Sequence, residues 1–255
     1  MTRELAIARI EEGIACLEAF SDQHPYMDEE WLSLFAHALQ RLENDGELKV
    51  LLLRGGETHF SAGGSREFLL QADLPAAISH NAEIPRLLIS VPVPTLAAME
   101  GHAVGGGFAF GLWCDQAFLA EESLYGANFM AMGLTPGMGV TRLLEESLGA
   151  TLSRELLFSG RLMKGAELAA SRVSLAPFIV PRQQVWPHAL AEARRIAQAP
   201  REALVLLKQA LSARRRDALA AARRDEAAMH QRLLASGAFR GRIAENYPGG
   251  SRGEA

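Results

Sequence analysis

Two short stretches have the composition of a site lined by backbone. GHAVGGGFAFGLWCD, residues 101–115, holds three consecutive glycines between apolar residues, and FSAGG, residues 60–64, ends on a second glycine pair. Each follows an apolar, strand-like run and precedes a helical one. A helix N-terminus exposes unpaired N–H groups at the positive end of its dipole, and glycine lets an oxygen approach that backbone closely. Two such N-termini converging on one point would stabilise negative charge growing on a carbonyl oxygen. Tight packing of a helix on a sheet uses the same glycines, so the spacing alone leaves both roles open.

Other chemistries lack their signatures. The phosphate loop GxxxxGK[ST] and the dinucleotide fingerprint GxGxxG are absent, as are HExxH and paired CxxC. No G-x-S-x-G elbow accompanies the serines and histidines. No metal, flavin or nicotinamide cofactor is expected. Cys16 and Cys114 both sit in apolar runs and read as buried thiols of a reducing, cytoplasmic compartment rather than a disulfide framework. The net charge of −4 gives no electrostatic footprint for nucleic acid. No apolar run approaches the ~20 residues that span a membrane, and MTRELAIARIEEG mixes charge into its apolar residues, unlike a signal peptide.

The elements that must position the glycines are legible from periodicity. ELAIARIEEGIACLEAF alternates about Glu12-Gly13 and predicts a β-hairpin. Residues 27–45 place Trp31, Leu34, Phe35, Ala38 and Leu39 at helical spacing. The runs 49–55, 95–99 and 116–120 read as buried strands, residues 58–64 as a loop, and residues 65–72, 84–89 and 108–114 as helices. A strand-like piece follows at 178–180, and from Val185 to Tyr247 nearly everything is helical. This divides the chain into a mixed α/β core, residues 1–190, and a C-terminal helical region, 191–255, with no Gly/Ser linker between them.

Taken together, HFSAGGSREF, PTLAAMEGHAVGGGFAFGLWCDQAFLAEESLYG, MGLTPGMGVTRLLEESLG and ELLFSGRLMKGAEL resemble the enoyl-CoA hydratase/isomerase (crotonase) superfamily from about Glu4 to about Tyr247. The resemblance implies an α/β spiral of repeated ββα units and a C-terminal helical region that serves trimerisation and covers the active site. It also implies a homotrimer or dimer of trimers, and an oxyanion hole made by the N–H groups of Gly64 and Gly106. Hydratases of the family carry a glutamate two positions after the triple glycine, where this chain has Ala109, and a second that falls on Phe129. Hydration needs a base to activate water and an acid to deliver a proton, and neither Ala nor Phe can serve.

ESLYGANFMAMGLTPGMGVT and EAAMHQRLL resemble the decarboxylating members of polyketide β-branching cassettes. That implies conversion of a 3-methylglutaconyl thioester on an acyl carrier protein to a 3-methylcrotonyl-type thioester, with the phosphopantetheine arm, or coenzyme A, as carrier. His230 takes the position of the subgroup's late histidine and is the expected proton donor, although a lone His in a polar helix is more often a solvated surface group. A lysine that holds the substrate carboxylate in some members aligns with Ala72, and its aromatic neighbour with Phe68. Arg66, His80 and His230 are the remaining candidates for that carboxylate, and Asn128 is a candidate substrate contact. Two alternatives of different class stand beside decarboxylation: an enoyl thioester isomerase, and a catalytically silent scaffold that binds acyl carrier protein. The arginines of ARRRDALAAARRDE, residues 213–226, could meet an acidic carrier, or simply form a salt-bridged solvent face.

Overall fold

The computed structural model describes residues 4–70, 82–175, 178–237 and 239–247. The predicted hairpin is present: strand β1 (Ile7–Glu11) pairs antiparallel with β2 (Ile14–Glu18), and Gly13 turns between them at φ +74°. Three successive units then each contribute one strand to a large sheet and the next to a small one. These are β3 (Val50–Arg54) with β4 (His59–Ser61), β5 (Thr95–Met99) with β6 (His102–Val104), and β7 (Gln116–Ala120) with β8 (Leu124–Gly126). With β9 (Met163–Lys164) and β10 (Ile179–Val180), the orders are β1-β2-β3-β5-β7-β10 and β4-β6-β8-β9. This is the expected spiral of ββα units. The small sheet is a correction, because residues 58–64 and the stretch after Ala120 read as loops. Three-residue strands are too short to show an alternation of their own, and they form by parallel pairing with one another.

Strands β2, β3, β5 and β7 of the large sheet are buried on both faces, which is why they read as nearly continuous apolar runs, whereas the edge strand β1 is largely solvent-facing. One face, with Cys16, Val50, Leu52, Leu96, Ala98 and Phe118, packs on Val185, Ala189 and Ala193 of a helix spanning Arg182–Ala197. The other face, with Leu17, Leu51, Leu53, Ala97 and Leu119, packs on helix α1 (Glu29–Glu43) and the buried helix α4 (Gly106–Trp113). Residue 190, where the core was expected to end, lies inside the first of these helices. Two further helices on the way to the small sheet, α2 (Arg66–Leu70) and α3 (Glu83–Ser90), match their predicted positions.

Helices α5 (Val140–Leu148), α6 (Ala150–Ser159) and α7 (Gly165–Ala170) lead to α8 (Arg182–Ala197), the 36-residue α9 (Arg201–Ser236) and α10 (Phe239–Asn246). Along α9 the buried positions are Leu204, Lys208, Ser212, Leu219, Ala222, Glu226 and His230, which at steps of 3, 4 and 7 form one face. Four of these seven are polar. Lys208 meets Asp115 at 2.5 Å, and Arg215 donates to the carbonyls of Leu112 and Cys114 at the C-terminus of α4. The basic stretch is therefore partly spent inside the molecule, anchoring α9 across one end of α4. No helix among the described residues is long and apolar enough to cross a membrane.

The spiral depends on close backbone approach at Gly107, where an added Cβ would lie 2.3 Å from the carbonyl oxygen of Ser61. Neither strand nor helix can yield there, so Gly107→Ala is expected to destabilise the protein by about 1–3 kcal/mol, a fall of several degrees in the thermal midpoint. Gly46→Ala, with nothing within 4 Å of its Cβ, should leave the midpoint nearly unchanged.

Candidate active site

The two glycine turns meet. Gly63 sits at φ +76°, in the left-handed region, and its position lies against the β6–α4 turn: a Cβ there would be 2.8 Å from the Val104 oxygen and 3.3 Å from the Gly106 nitrogen. Helix α4 starts two residues earlier than its apolar pattern suggests, so Gly106 is its first residue. Among the described residues neither the Gly64 nor the Gly106 N–H meets an acceptor.

Their directions follow from the peptide planes. The Gly63 carbonyl accepts from the Met27 N–H at 2.9 Å, and the Gly105 carbonyl accepts from the Ala109 N–H at 3.2 Å inside the first turn of α4. A trans peptide points its N–H opposite its C=O, so each bond fixes the following glycine's N–H on the side opposite the donor that holds the carbonyl. Gly64 and Gly106 both line one cavity of about 100 Å³.

The rest of that wall is largely apolar. Met27, Phe68, Leu69, Phe129, Met132, Leu134 and Met138 contribute to it, with Asn128, Thr135, His230 and Tyr247 as the polar side chains. The expected site residues Gly64, Gly106, Phe68, Asn128, Phe129 and His230 are thus brought together. Arg66 is not on the wall: it lies at the start of α2, with its Nε buried and unpartnered among the described residues. Ala72 and His80 lie outside the described residues. Ala109 is buried in the core rather than on the wall. Asn128 stands over the glycine turn, with its Oδ1 3.0 Å from the position of a Gly105 Cβ.

His230 is not the solvated residue its polar helix suggests. It is 8% exposed, and its Nε2 lies 3.1 Å from the Thr135 carbonyl oxygen. Gly137 leaves room for the ring, whose Cε1 would be 3.3 Å from a Cβ at that position. Burial holds the imidazole below its usual pKa, against the Thr135 and Pro136 carbonyls, which favour the charged form. A carbonyl only accepts, so Nε2 carries the hydrogen and the neutral ring keeps Nδ1 bare. Burial therefore weighs against the charged form of the ring that a proton donor must carry.

One helical turn before His230, Glu226 is 3% exposed and accepts from the Gly139 N–H at 2.8 Å, the Thr141 N–H at 3.0 Å and the Thr141 hydroxyl at 2.9 Å. It caps α5 from a distant helix and fixes the Thr135–Gly139 turn to α9. Met138 in that turn adopts a left-handed φ of 59°, held by the Trp113 Nε1–H donating to its carbonyl at 2.7 Å. At the other side Tyr247 donates its hydroxyl to the Gly64 carbonyl at 2.8 Å. Sequence reasoning missed Tyr247, Met27 and Glu226. Only the 4-residue spacing of Glu226 and His230 on a buried stripe could have signalled one of them.

Other side chains resolve to structure. His102 accepts from the Leu124 N–H through Nδ1 at 2.9 Å, and Tyr125 is buried with its hydroxyl on the Met99 carbonyl at 2.7 Å. Cys16 and Cys114 are buried free thiols, pushed up to about 12 by desolvation. Met130 is exposed rather than part of the cavity wall.

Comparison with known proteins places this geometry. The enoyl-CoA hydratase/isomerase family model matches residues 20–245. The bacillaene synthase decarboxylase PksI of Bacillus subtilis is 35% identical over 211 residues, 82% of this chain and 84% of that protein. A structure from a dehydratase/decarboxylase enzyme couple involved in polyketide β-branching superposes with a TM-score of 0.89 at 30% identity, covering 96% of this chain and 100% of that one. The ECH2 decarboxylase domain of CurF from Lyngbya majuscula superposes at 0.84 with 27% identity, over 95% and 99% of the two chains.

Replacing Glu226 tests the seat of His230. Glu226→Ala leaves the buried Gly139 N–H without an acceptor and is expected to lose about 3 kcal/mol of stability, measurable as a lowered denaturation midpoint. Glu226→Gln keeps one acceptor oxygen but turns an NH₂ toward N–H donors, so it should fall between wild type and Glu226→Ala.

Proposed function

The chain belongs to the enoyl-CoA hydratase/isomerase family, and we infer that it is a crotonase-fold decarboxylase of polyketide β-branching. The observation that carries the reading is an apolar cavity with two unpaired backbone N–H groups and no carboxylate on its described wall. Hydration would need such a carboxylate. Decarboxylation needs chiefly a place for the charge it creates.

The substrate is a 3-methylglutaconyl-type thioester on the phosphopantetheine of an acyl carrier protein. Its carbonyl oxygen sits between the N–H groups of Gly64 and Gly106, and its γ-carboxylate extends into the cavity. The bond to CO₂ breaks, and the electron pair spreads through the double bond onto the thioester oxygen as a dienolate. Those two donors bind this oxygen more strongly than they bind the neutral carbonyl, and that difference lowers the barrier. Phe68, Phe129 and the methionines exclude water, leaving His230 as the acid that returns a proton to carbon. Asn128 orients the acyl chain over the glycine turn.

A homotrimer or dimer of trimers completes the proposal. Leu206, Leu207 and Leu211 form an exposed apolar row near the start of α9, at 60%, 57% and 61% exposure, which a second copy would cover.

Incubating the protein with 3-methylglutaconyl carrier protein should release CO₂, read by mass spectrometry as a loss of that mass from the acyl chain. An unchanged mass with a migrated double bond would replace this reading with isomerase chemistry. The oxyanion assignment has a sharper test. Gly106→Pro removes the N–H at the first helical position, where proline fits, and should lower kcat by about 10²–10³. Gly106→Ala keeps the N–H and meets only the flexible ends of Met27 and Met138, so it should retain far more activity.

A further inference from the structure

The cavity poses an electrostatic problem that the oxyanion site does not solve. The substrate arrives with a carboxylate, and the described wall holds neither lysine nor arginine. Residues 71–81, QADLPAAISHN, supply neither as well. An unpaired carboxylate in an apolar cavity is unfavourable by several kcal/mol. The titratable side chains on the described wall are His230 and Tyr247. Tyr247 is already protonated, and burial beside the Tyr26 hydroxyl keeps it so. It cannot take up a proton.

We propose that the substrate carboxylate enters together with one proton from solvent, taken up by His230, and that this same proton is the one delivered to carbon after CO₂ leaves. The inference rests on the decarboxylase reading above and supplies the cation that an aligned lysine does not. The geometry gives His230 the means. Its Nε2–H is committed to the Thr135 carbonyl, so the bare Nδ1 is the atom that gains the proton.

Among the described residues, the charged side chains on α9 and α10 nearest the ring are engaged elsewhere. Glu226 on the same helix is engaged by Gly139 and Thr141. Arg223, two turns back, pairs with Glu83, and Arg242 of α10 lies against Gly133. The turn packed on the ring, Thr135 to Gly139, carries no charged residue. Burial disfavours a charge on the ring by itself; with an anion beside it, the imidazolium and the carboxylate stabilise each other.

The step balances. The C–C bond to the carboxylate breaks and CO₂ departs, leaving its electron pair in the dienolate. The imidazolium N–H bond then breaks, the proton bonds to carbon, and the neutral ring waits for the next substrate and the next proton. The enzyme ends each turnover unchanged, having consumed one proton. Since the imidazolium is needed for binding and is lost as pH rises, affinity for the dicarboxylic thioester should weaken tenfold per pH unit above the pKa of the empty site.

The probe is 3-methylglutaryl-pantetheine, which keeps the carboxylate but lacks the double bond that would delocalise a carbanion, so it binds without decarboxylating. Calorimetric titration at mildly alkaline pH, in two buffers of different ionisation enthalpy, counts protons. Uptake close to one proton per site is expected with the free acid, and none with its methyl ester. His230→Gln should abolish the uptake, and His80→Gln should retain it. No uptake by the wild type, or uptake lost in His80→Gln and kept in His230→Gln, overturns the proposal. CO₂ release from the 3-methylglutaconyl thioester is read separately: release without proton uptake sinks this inference alone, whereas no release sinks the decarboxylase reading.

Discussion

The cavity is built around two backbone N–H groups, of Gly64 and Gly106, that meet no acceptor among the described residues. A buried peptide N–H normally finds an acceptor, because leaving it unmade costs about as much as a hydrogen bond gains. At Gly64 and Gly106 the opposite is enforced. Their carbonyl-side neighbours are tied down, Gly63 by Met27 and Gly105 by Ala109, so the peptide planes cannot rotate to find another acceptor. The spiral supplies the means: each ββα unit delivers its second strand to the small sheet, and β4 and β6 bring their following turns side by side.

Helix α9 holds the other half of the site. Its buried stripe runs from Lys208 on Asp115, past Arg215 on the carbonyl end of α4, to Glu226 on the α5 N-terminus and His230 on Thr135. Cations lie at the C-terminal end of α4 and an anion at the N-terminal end of α5, both favourable to the helix dipoles. One helix therefore contacts the far end of α4 and seats the imidazole, so a shift in its register would move both.

The absent groups shape the chemistry as much as those present. By motif resemblance Ala109 and Phe129 take the positions of the family's two glutamates; Phe129 lies on a described wall that is apolar rather than acidic, and Ala109 is buried in the core. In such a medium a localised carboxylate is stabilised less than a dienolate spread over several atoms and held by two fixed dipoles. Under the proposed decarboxylation, an apolar wall would also keep water from the dienolate and leave its protonation to a positioned side chain.

The sequence by itself determined the strands of the large sheet, the hairpin, the helical C-terminal region and the two glycine turns, since each follows from periodicity or composition over five or more residues. Motif resemblance added Gly64, Gly106, His230 and the missing glutamates. What only the tertiary structure decided were features with no local signal. The three-residue strands of the small sheet exist only as partners of one another. Glu226 reads as part of a solvent face until the helix is seated, because a stripe of polar residues is buried only when its acceptors and donors arrive from elsewhere in the chain. Tyr247 reaches Gly64 across 183 residues. The lowered basicity of His230 is likewise a property of the fold, set by burial that no run of neighbouring residues encodes.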